Sequence, residues 1–167
     1  MRKVEIEIPD GKMAQWVDGV LTLVDEKPQN VMERIKTFED AVAELSNRAM
    51  NGDKDAGKLL DEWKIIIFSA NSKDLLAYLK LRIITYALNE GWKPEFGETE
   101  CRYYPWFKLK ISRGGGSAGA SCGLVCMFAD DVSSGTGYGS RLAFKSRKLA
   151  EYAGKQFVEI YEEYCLI

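Results

Sequence analysis

The chain has 167 residues, of which 46% are hydrophobic and 29% are charged, and this composition argues against wholesale disorder. It contains no histidine, which excludes Ser-His and Cys-His catalytic dyads and removes the commonest metal ligand. No apolar stretch approaches the roughly 18 residues that a membrane-spanning helix requires, and the charged N-terminus is unlike a signal peptide. From these two features we expect a cytoplasmic protein without a membrane partner.

The first 25 residues predict a β-hairpin that forms an appendage or an edge of the sheet. Residues 4–8 alternate valine or isoleucine with glutamate, as in a strand with one exposed face. Turn-forming residues occupy 9–11, and the segment 17–26 returns as a second strand.

The following part of the chain predicts three helices. Asn30 and Glu33 have the spacing of a capping box that opens the first helix. Ser72 is placed to cap the third helix, which ends before Gly91 and is expected to be the central one. The predicted helices cover about 30–48, 55–68 and 73–90. Their expected inward side chains are Val31, Ile35, Phe38, Val42, Leu45, Leu59, Leu60, Trp63, Ile66, Ile67, Leu75, Leu76, Leu79, Ile83, Tyr86 and Ala87.

After residue 92 the hydrophobic pattern changes to a period of two, which predicts strands near 106–111, 121–128 and 140–144. The segment 121–128 is apolar on both faces, so we expect an interior strand that is covered on both sides. A C-terminal helix follows from about residue 146 to 164. The sequence therefore predicts an α+β fold in a single domain, with a helical N-terminal half and a small antiparallel sheet.

The spacing of the cysteines and of the adjacent aspartates does not predict a disulfide or a metal site. Cys122 and Cys126 are four apart in a predicted strand, roughly 13 Å, which is too far for a disulfide or a shared zinc ion. We expect these two and the remaining cysteines, at positions 101 and 165, to be reduced thiols. Asp130 and Asp131 could bind Mg²⁺, but they also suit a turn, and no third carboxylate has a place beside them. No metal, cofactor or catalytic residue is therefore predicted, and we expect a protein that is not an enzyme.

The segment "ECRYYPWFKLK" at 100–110 carries the most distinctive pattern. Read as a strand, it places Tyr103, Phe107, Leu109 and Ile111 on one face. Interleaved cations and aromatic rings are typical of a surface that stacks single-stranded bases. The alternative is that these rings pack under a helix while the lysines reach solvent, and Pro105 could break the strand or place it at an edge. The opposite face, here called the basic-aromatic row, holds Arg102, Tyr104, Trp106, Lys108 and Lys110.

One part of the chain, residues 101–155, carries a net positive charge. Residues 101–155 hold 9 of the 23 basic residues and only 3 of the 25 acidic ones. A local basic patch can attract an anionic partner, although it can equally be a solvated face. The glycine-rich segment 134–140 lacks the Gly-Lys-Ser/Thr of a P-loop, so we expect a flexible hairpin tip in which Tyr138 can stack on a base. The predicted phosphate contacts are Arg141, Lys145, Arg147 and Lys148, the last two beside a helix N-terminus at Ser146.

Several segments resemble one family of proteins. These are "KTFEDA", "YLKLRIITYALNEGWKPEF", "RYYPWF", "SCGLVCMF" and "GYGSRLAFKSRKLAEYAGKQFVEIY", which lie within residues 30–164. They are similar to small proteins encoded by phages and prophages of gut bacteria. The resemblance implies a role in phage DNA metabolism, as a single-stranded DNA-binding protein in the host cytoplasm, and it brings no catalytic residues with it.

Two functions remain open at this point. The first is an accessory protein of a phage or prophage that binds single-stranded nucleic acid through the basic-aromatic row and the N-terminus of the last helix. The second is a non-catalytic protein-interaction or virion-associated module, which the net charge of −2 and the pI of about 5.4 favour. The sequence does not determine the oligomeric state.

Overall fold

The computed structural model describes residues 7–17, 19–25, 30–69, 72–93, 101–112, 121–133 and 141–166. In this part of the chain, helices pack around a common core and four strands form two antiparallel pairs, which confirms the predicted α+β class. None of the helices in the described residues has both the length and the apolar character to cross a bilayer. The elements are β1 (Lys12–Val17), β2 (Val20–Asp25), α1 (Val31–Arg34), α2 (Phe38–Met50), α3 (Lys54–Ser69), α4 (Lys73–Leu88), β3 (Cys101–Ser112), β4 (Ser121–Ser133), α5 (Arg147–Gln156) and α6 (Val158–Cys165).

The N-terminal hairpin forms later in the chain than the sequence predicted. Strand β1 begins after Gly11, and its last residue, Val17, pairs with Val20 of β2. The predicted strand at 4–8 is wrong for residues 7 and 8, which are not in a strand, and residues 4–6 lie outside the described residues. Gly19 has a φ of +80°, which suits a tight hairpin connection between the paired residues Val17 and Val20.

The first predicted helix is divided into two. Asn30 does cap α1, since its side chain accepts a hydrogen bond from the Met32 N–H at 3.1 Å. The helix ends after one turn because Thr37 and Asp40 form a stronger signal, a reciprocal capping box that opens α2. The prediction of one continuous helix over 30–48 was therefore wrong.

Helix α4 is central, as predicted, and it packs against α2, α3 and α6. Ser72 precedes it without capping the backbone, because its hydroxyl contacts the carboxylate of Asp74. Two side chains expected to face inward, Ile67 and Leu75, are exposed near the connection between α3 and α4. The main core contains Val31, Ile35, Ala41, Leu45, Ala56, Leu59, Leu60, Ile83, Ile84, Ala87, Leu88, Phe144, Leu149, Ala150, Ala153 and Phe157.

Strands β3 and β4 form a long hairpin, which confirms the strands predicted near 106–111 and 121–128. The third predicted strand, near 140–144, is reduced to one bridge, in which Phe144 exchanges two backbone hydrogen bonds with Tyr103. The predicted C-terminal helix is divided at Phe157, where α5 ends and α6 begins. The Ser146 hydroxyl caps α5 by accepting a hydrogen bond from the Leu149 N–H at 3.3 Å, as predicted.

Candidate nucleic-acid interface

One face of the β3–β4 hairpin is covered by the last two helices. The ring of Phe107 packs on the ring of Tyr161 in α6, with 4.8 Å between their centroids. The Leu124 N–H donates a hydrogen bond of 2.6 Å to Oε1 of Glu162, which fixes α6 to β4. Helix α5 packs closely on the hairpin at Gly154, where an added Cβ would lie 2.7 Å from the Cβ of Pro105. The two helices therefore hold the hairpin by side chains of this inner face.

The opposite face, called the outer face below, consists of Tyr104, Trp106, Lys108, Val125 and Met127. The Trp106 side chain is 54% exposed, Lys108 is exposed and Tyr104 is half-buried. Lys108 pairs across the strands with Val125, and the register shifts between Trp106 and Phe107, next to Pro105, where a break was anticipated. The structure thus presents an exposed aromatic side chain and an exposed basic side chain two residues apart on β3.

Two residues of β3 differ from the predicted assignment to faces. Arg102 was expected outside with the row, but it is only 4% exposed and lies in the wall of a cleft that residues of α3 and α4 also line. Leu109 was expected inside, but it is 56% exposed. The predicted inward orientation is therefore correct for Phe107 and wrong for Leu109, which lies further along the strand.

Strand β4 is also more open than expected. The sequence predicted an interior strand with both faces covered, but β4 pairs only with β3 among the described residues. Val125 and Met127 are 40% and 52% exposed on the outer face. Sequence reasoning therefore missed these two residues of the candidate interface. Because residues 124–127 are all apolar, the local sequence does not indicate which face would be exposed.

The predicted phosphate contacts near α5 lie apart from the outer face. The Arg147 guanidinium is 5.7 Å from the ring centroid of Tyr103, a side chain that packs against the main core. Lys148 is exposed on the same helix. Because Tyr103 and Tyr104 are successive residues of one strand, their side chains point to opposite faces. Arg147 therefore lies on the inner side of the hairpin.

Lys145 is less available to an anion than the sequence suggested. Its Nζ is 2.8 Å from Oε2 of Glu90, and the hydrogen bond that it donates lowers the pKa of the Glu90 carboxyl. Arg34 approaches the same carboxylate at 3.1 Å. The charge of Lys145 is thus balanced within the protein.

The remaining predicted residues are divided between a cleft and the part of the chain that is not described. Arg141 is exposed at the wall of a cleft between α3, α4 and β3. Tyr138 lies outside the described residues, and so does the side chain of Lys110, although its backbone belongs to β3. The side chains of Asp130 and Asp131 are likewise outside the description. No group of three or more acidic or cysteine side chains in the described residues is arranged to hold a metal ion.

The described cysteine side chains are free thiols. Cys101 and Cys126 are half-buried, Cys165 is exposed, and the side chain of Cys122 lies outside the description. Desolvation by neighbouring protein atoms raises the pKa of the Cys126 and Cys165 thiols above the usual value, which keeps both protonated at neutral pH.

No protein-family profile matches this chain, and comparisons with curated proteins and with solved structures give no significant match. The resemblance to phage and prophage proteins therefore stays a prediction from the quoted segments.

Proposed function

We propose that the protein is an accessory protein of a phage or prophage that binds single-stranded nucleic acid on the outer face of the β3–β4 hairpin. The observation that carries the proposal is the 54% exposed ring of Trp106 beside the exposed Lys108. Contiguous exposed apolar side chains mark surfaces that meet a partner, and Trp106 shares its face with the exposed Val125 and Met127. The outer face offers both contacts that a single strand needs, a ring for a base and a cation for a phosphate.

In this account the bases stack on the hairpin and the phosphates follow its cations. Trp106 supplies the main stacking surface, and half-buried Tyr104 lies two residues earlier on the same face. Lys108 contacts a phosphate next to the stacked base. The exposed side chains of Val125 and Met127 give further apolar contact area for bases. Such binding is independent of base sequence, because every base has a face that can stack.

Arg147 and Lys148 serve as a second set of phosphate contacts at the N-terminus of α5. A strand that leaves the outer face would have to pass the edge of the hairpin to reach them. The proposal therefore assigns them a smaller share of the affinity than Trp106. It requires neither a reaction nor a cofactor.

The test is a titration of a fluorescein-labelled oligothymidylate with the protein, followed by fluorescence anisotropy. We expect binding at about 50 mM salt that weakens log-linearly with added salt, because Lys108, Arg147 and Lys148 displace counterions from the phosphates. Single-stranded DNA should bind more tightly than the same sequence as a duplex, in which the bases are not free to stack on Trp106. No anisotropy change at micromolar protein would contradict the proposal.

The second candidate is a non-catalytic protein-interaction or virion-associated module that uses the same outer face. Trp106, Val125 and Met127 are all exposed and apolar, and Lys108 is the one charged side chain among the described members of that face. A partner held by apolar contact should be insensitive to the charge of residue 108. Lys108→Glu should therefore weaken strand binding under the first function, whereas a protein complex under the second should keep its affinity.

A further inference from the structure

A cleft of about 690 Å³ lies between α3, α4 and the start of β3. Ala143 and Arg141 complete one side of it, and Trp92 and Lys93, which follow α4, complete another. The volume is within the range of about 300–1,000 Å³ that small-molecule sites occupy. The cleft is thus large enough for one small organic ligand.

Positive charge dominates the described wall of this cleft. The two acidic side chains of the wall, Asp55 and Glu62, already contact basic side chains of the same wall. Arg141 has no ion pair within the described residues, and Arg102 is only 4% exposed, where water screens its charge less. The wall therefore favours an anionic ligand. The basic side chains are Lys58, Arg82, Lys93, Arg102 and Arg141.

Thr85 of α4 belongs to the same wall and is 2% exposed. A buried threonine in a helix ordinarily bonds the carbonyl oxygen one turn earlier. The Thr85 hydroxyl has no hydrogen-bond partner in the described residues. Buried hydroxyl groups are seldom left unpaired, so this one is a ready donor and acceptor for a bound molecule.

Two aromatic side chains, Tyr86 and Trp92, complete the chemistry of the wall. The Tyr86 hydroxyl donates to the carboxylate of Asp53, with distances of 2.9 and 3.0 Å to its two oxygens, so the ring is held in place. Aromatic rings in a basic cleft are suited to a ligand with both a flat ring and a negative charge.

We propose that this cleft binds a nucleotide phosphate monoester, either a free nucleoside monophosphate or the phosphorylated end of a nucleic-acid strand. Arg102 and Arg141 contact the phosphate, Tyr86 and Trp92 contact the base, and Thr85 bonds a polar group of the ligand. The two sources share this chemistry and differ only in what continues beyond the sugar. The proposal does not depend on the outer face of the hairpin.

The test is calorimetric titration of the full chain with thymidine monophosphate, and with thymidine as the ligand that lacks the phosphate. At about 50 mM salt we expect binding of the monophosphate with at least about tenfold lower affinity for thymidine. Arg141→Ala should weaken binding by about tenfold or more. Thr85→Val should also weaken it, yet leave the melting temperature unchanged or raised, because it removes an unpaired buried hydroxyl. If Thr85 had only a structural role, Thr85→Val would not weaken ligand binding while leaving the melting temperature unchanged or raised.

Lys64→Ala is the matched control, because Lys64 is an exposed cation of α3 whose ion pair is with Asp61, away from the wall of the cleft. It should bind the monophosphate as the wild type does. Equal affinity for thymidine and its monophosphate, or no effect of Arg141→Ala, would overturn the proposal. So would the absence of heat with both the monophosphate at about 1 mM and a 5′-phosphorylated oligonucleotide.

Two oligonucleotides distinguish the sources of the phosphate. Tighter binding of a 5′-phosphorylated strand than of its 5′-hydroxyl form, lost in Arg141→Ala, supports the strand end as the ligand. Binding of the free monophosphate with no such difference supports a free nucleotide. If neither the free monophosphate nor the strand end binds in the cleft, the 5′-hydroxyl strand can still bind to the outer face of the hairpin. The cleft proposal and the proposed function can therefore be refuted independently.

Discussion

The side-chain amide of Asn89 donates a hydrogen bond of 2.7 Å to the carbonyl oxygen of Ala143, 54 residues further along the chain. The Oδ1 of the same amide accepts from the Lys145 N–H at 3.0 Å. Asn89 is 3% exposed and follows α4 directly, so it fixes the segment that pairs with β3 through Phe144. This contact joins the helical half of the protein to the hairpin half, and it positions one side of the cleft.

Asn89→Ala should destabilise the fold by about 1–3 kcal/mol, because it leaves a buried carbonyl oxygen and a backbone N–H without partners. Urea unfolding measures the change. Asn51→Ala is the control, since Asn51 is exposed at the end of α2, and its effect should stay within about 0.5 kcal/mol. Equal effects of the two substitutions would show that the contact to Ala143 is not a major link.

Gly154→Ala should destabilise the protein although alanine is the better helix former. A Cβ at position 154 would lie 2.5 Å from Sγ of Cys126 and 2.7 Å from Cβ of Pro105, and the latter atom cannot rotate away. Separating α5 from the hairpin should cost about 1–3 kcal/mol, more than the gain of about 1 kcal/mol in helix propensity.

Gly57→Ala in α3 is the matched control for that substitution. Its Cβ would meet only the Cβ of Ala49, at 3.8 Å, which is an ordinary contact. It should stabilise by up to about 1 kcal/mol. A Gly154→Ala variant as stable as Gly57→Ala in urea would contradict the close approach of α5 to the hairpin.

Tyr86→Phe and Tyr161→Phe should have opposite effects on the free energy of unfolding. The Tyr86 hydroxyl donates to the carboxylate of Asp53 at 2.9 Å, so its removal should cost about 1.5–3 kcal/mol. The Tyr161 hydroxyl is buried and has no hydrogen-bond partner in the described residues, so its removal should be neutral or stabilising. Chemical denaturation of the two variants in parallel provides the comparison. Equal decreases in the free energy of unfolding would contradict the assignment of one paired and one unpaired hydroxyl.

The same contact predicts how stability depends on alkaline pH. Burial and the Asp53 carboxylate raise the pKa of Tyr86 to about 12. Because the folded pKa exceeds the unfolded value of about 10, Tyr86 contributes its full stabilisation below pH 10 and loses it as the pH rises through 12. Ultraviolet titration of wild type and Tyr86→Phe should therefore differ by one tyrosine that ionises near pH 12. Loss of a tyrosine that ionises near pH 10 would contradict this.

Asp53→Asn should destabilise by about 1–3 kcal/mol at pH 7 and by less at low pH. Burial raises the pKa of this carboxyl, but hydrogen bonds from the Ala56 N–H, Tyr86 and Arg48 outweigh it and lower the pKa below the usual value. A lowered pKa stabilises the fold above the unfolded pKa of about 3.9, and this stabilisation is lost as the pH falls through the folded pKa. Urea unfolding between pH 3 and pH 7 measures the difference. A destabilisation that does not shrink below pH 4 would contradict the assigned contacts.

The sequence predicted elements well where one local signal dominated. The spacing of Leu79, Ile83 and Ala87 placed α4 correctly, and Ser146 was correctly identified as the cap of α5. The break between α1 and α2 was also encoded locally, by Thr37 and Asp40, but the earlier capping signal at Asn30 obscured it.

The parts of the candidate site that were missed depend on contacts between distant segments. Nothing near Arg102 in the sequence indicates that it lines a cleft together with α3 and α4, so alternation alone placed it on the surface. Lys145 looked like a free cation because its partner, Glu90, is 55 residues away. In the same way, an apolar strand predicts burial, but whether a second layer covers Val125 and Met127 is decided by the rest of the fold.

The most direct test of the proposed function is oligothymidylate binding by Trp106→Ala, compared with Phe68→Ala. Both remove an exposed aromatic side chain, but Phe68, 90% exposed, lies near the end of α3, away from the outer face of the hairpin. Loss of one stacked base costs about 1–3 kcal/mol, so Trp106→Ala should bind about 5- to 150-fold more weakly, while Phe68→Ala binds as the wild type does. Equal affinities of the two variants and the wild type would contradict binding on the outer face.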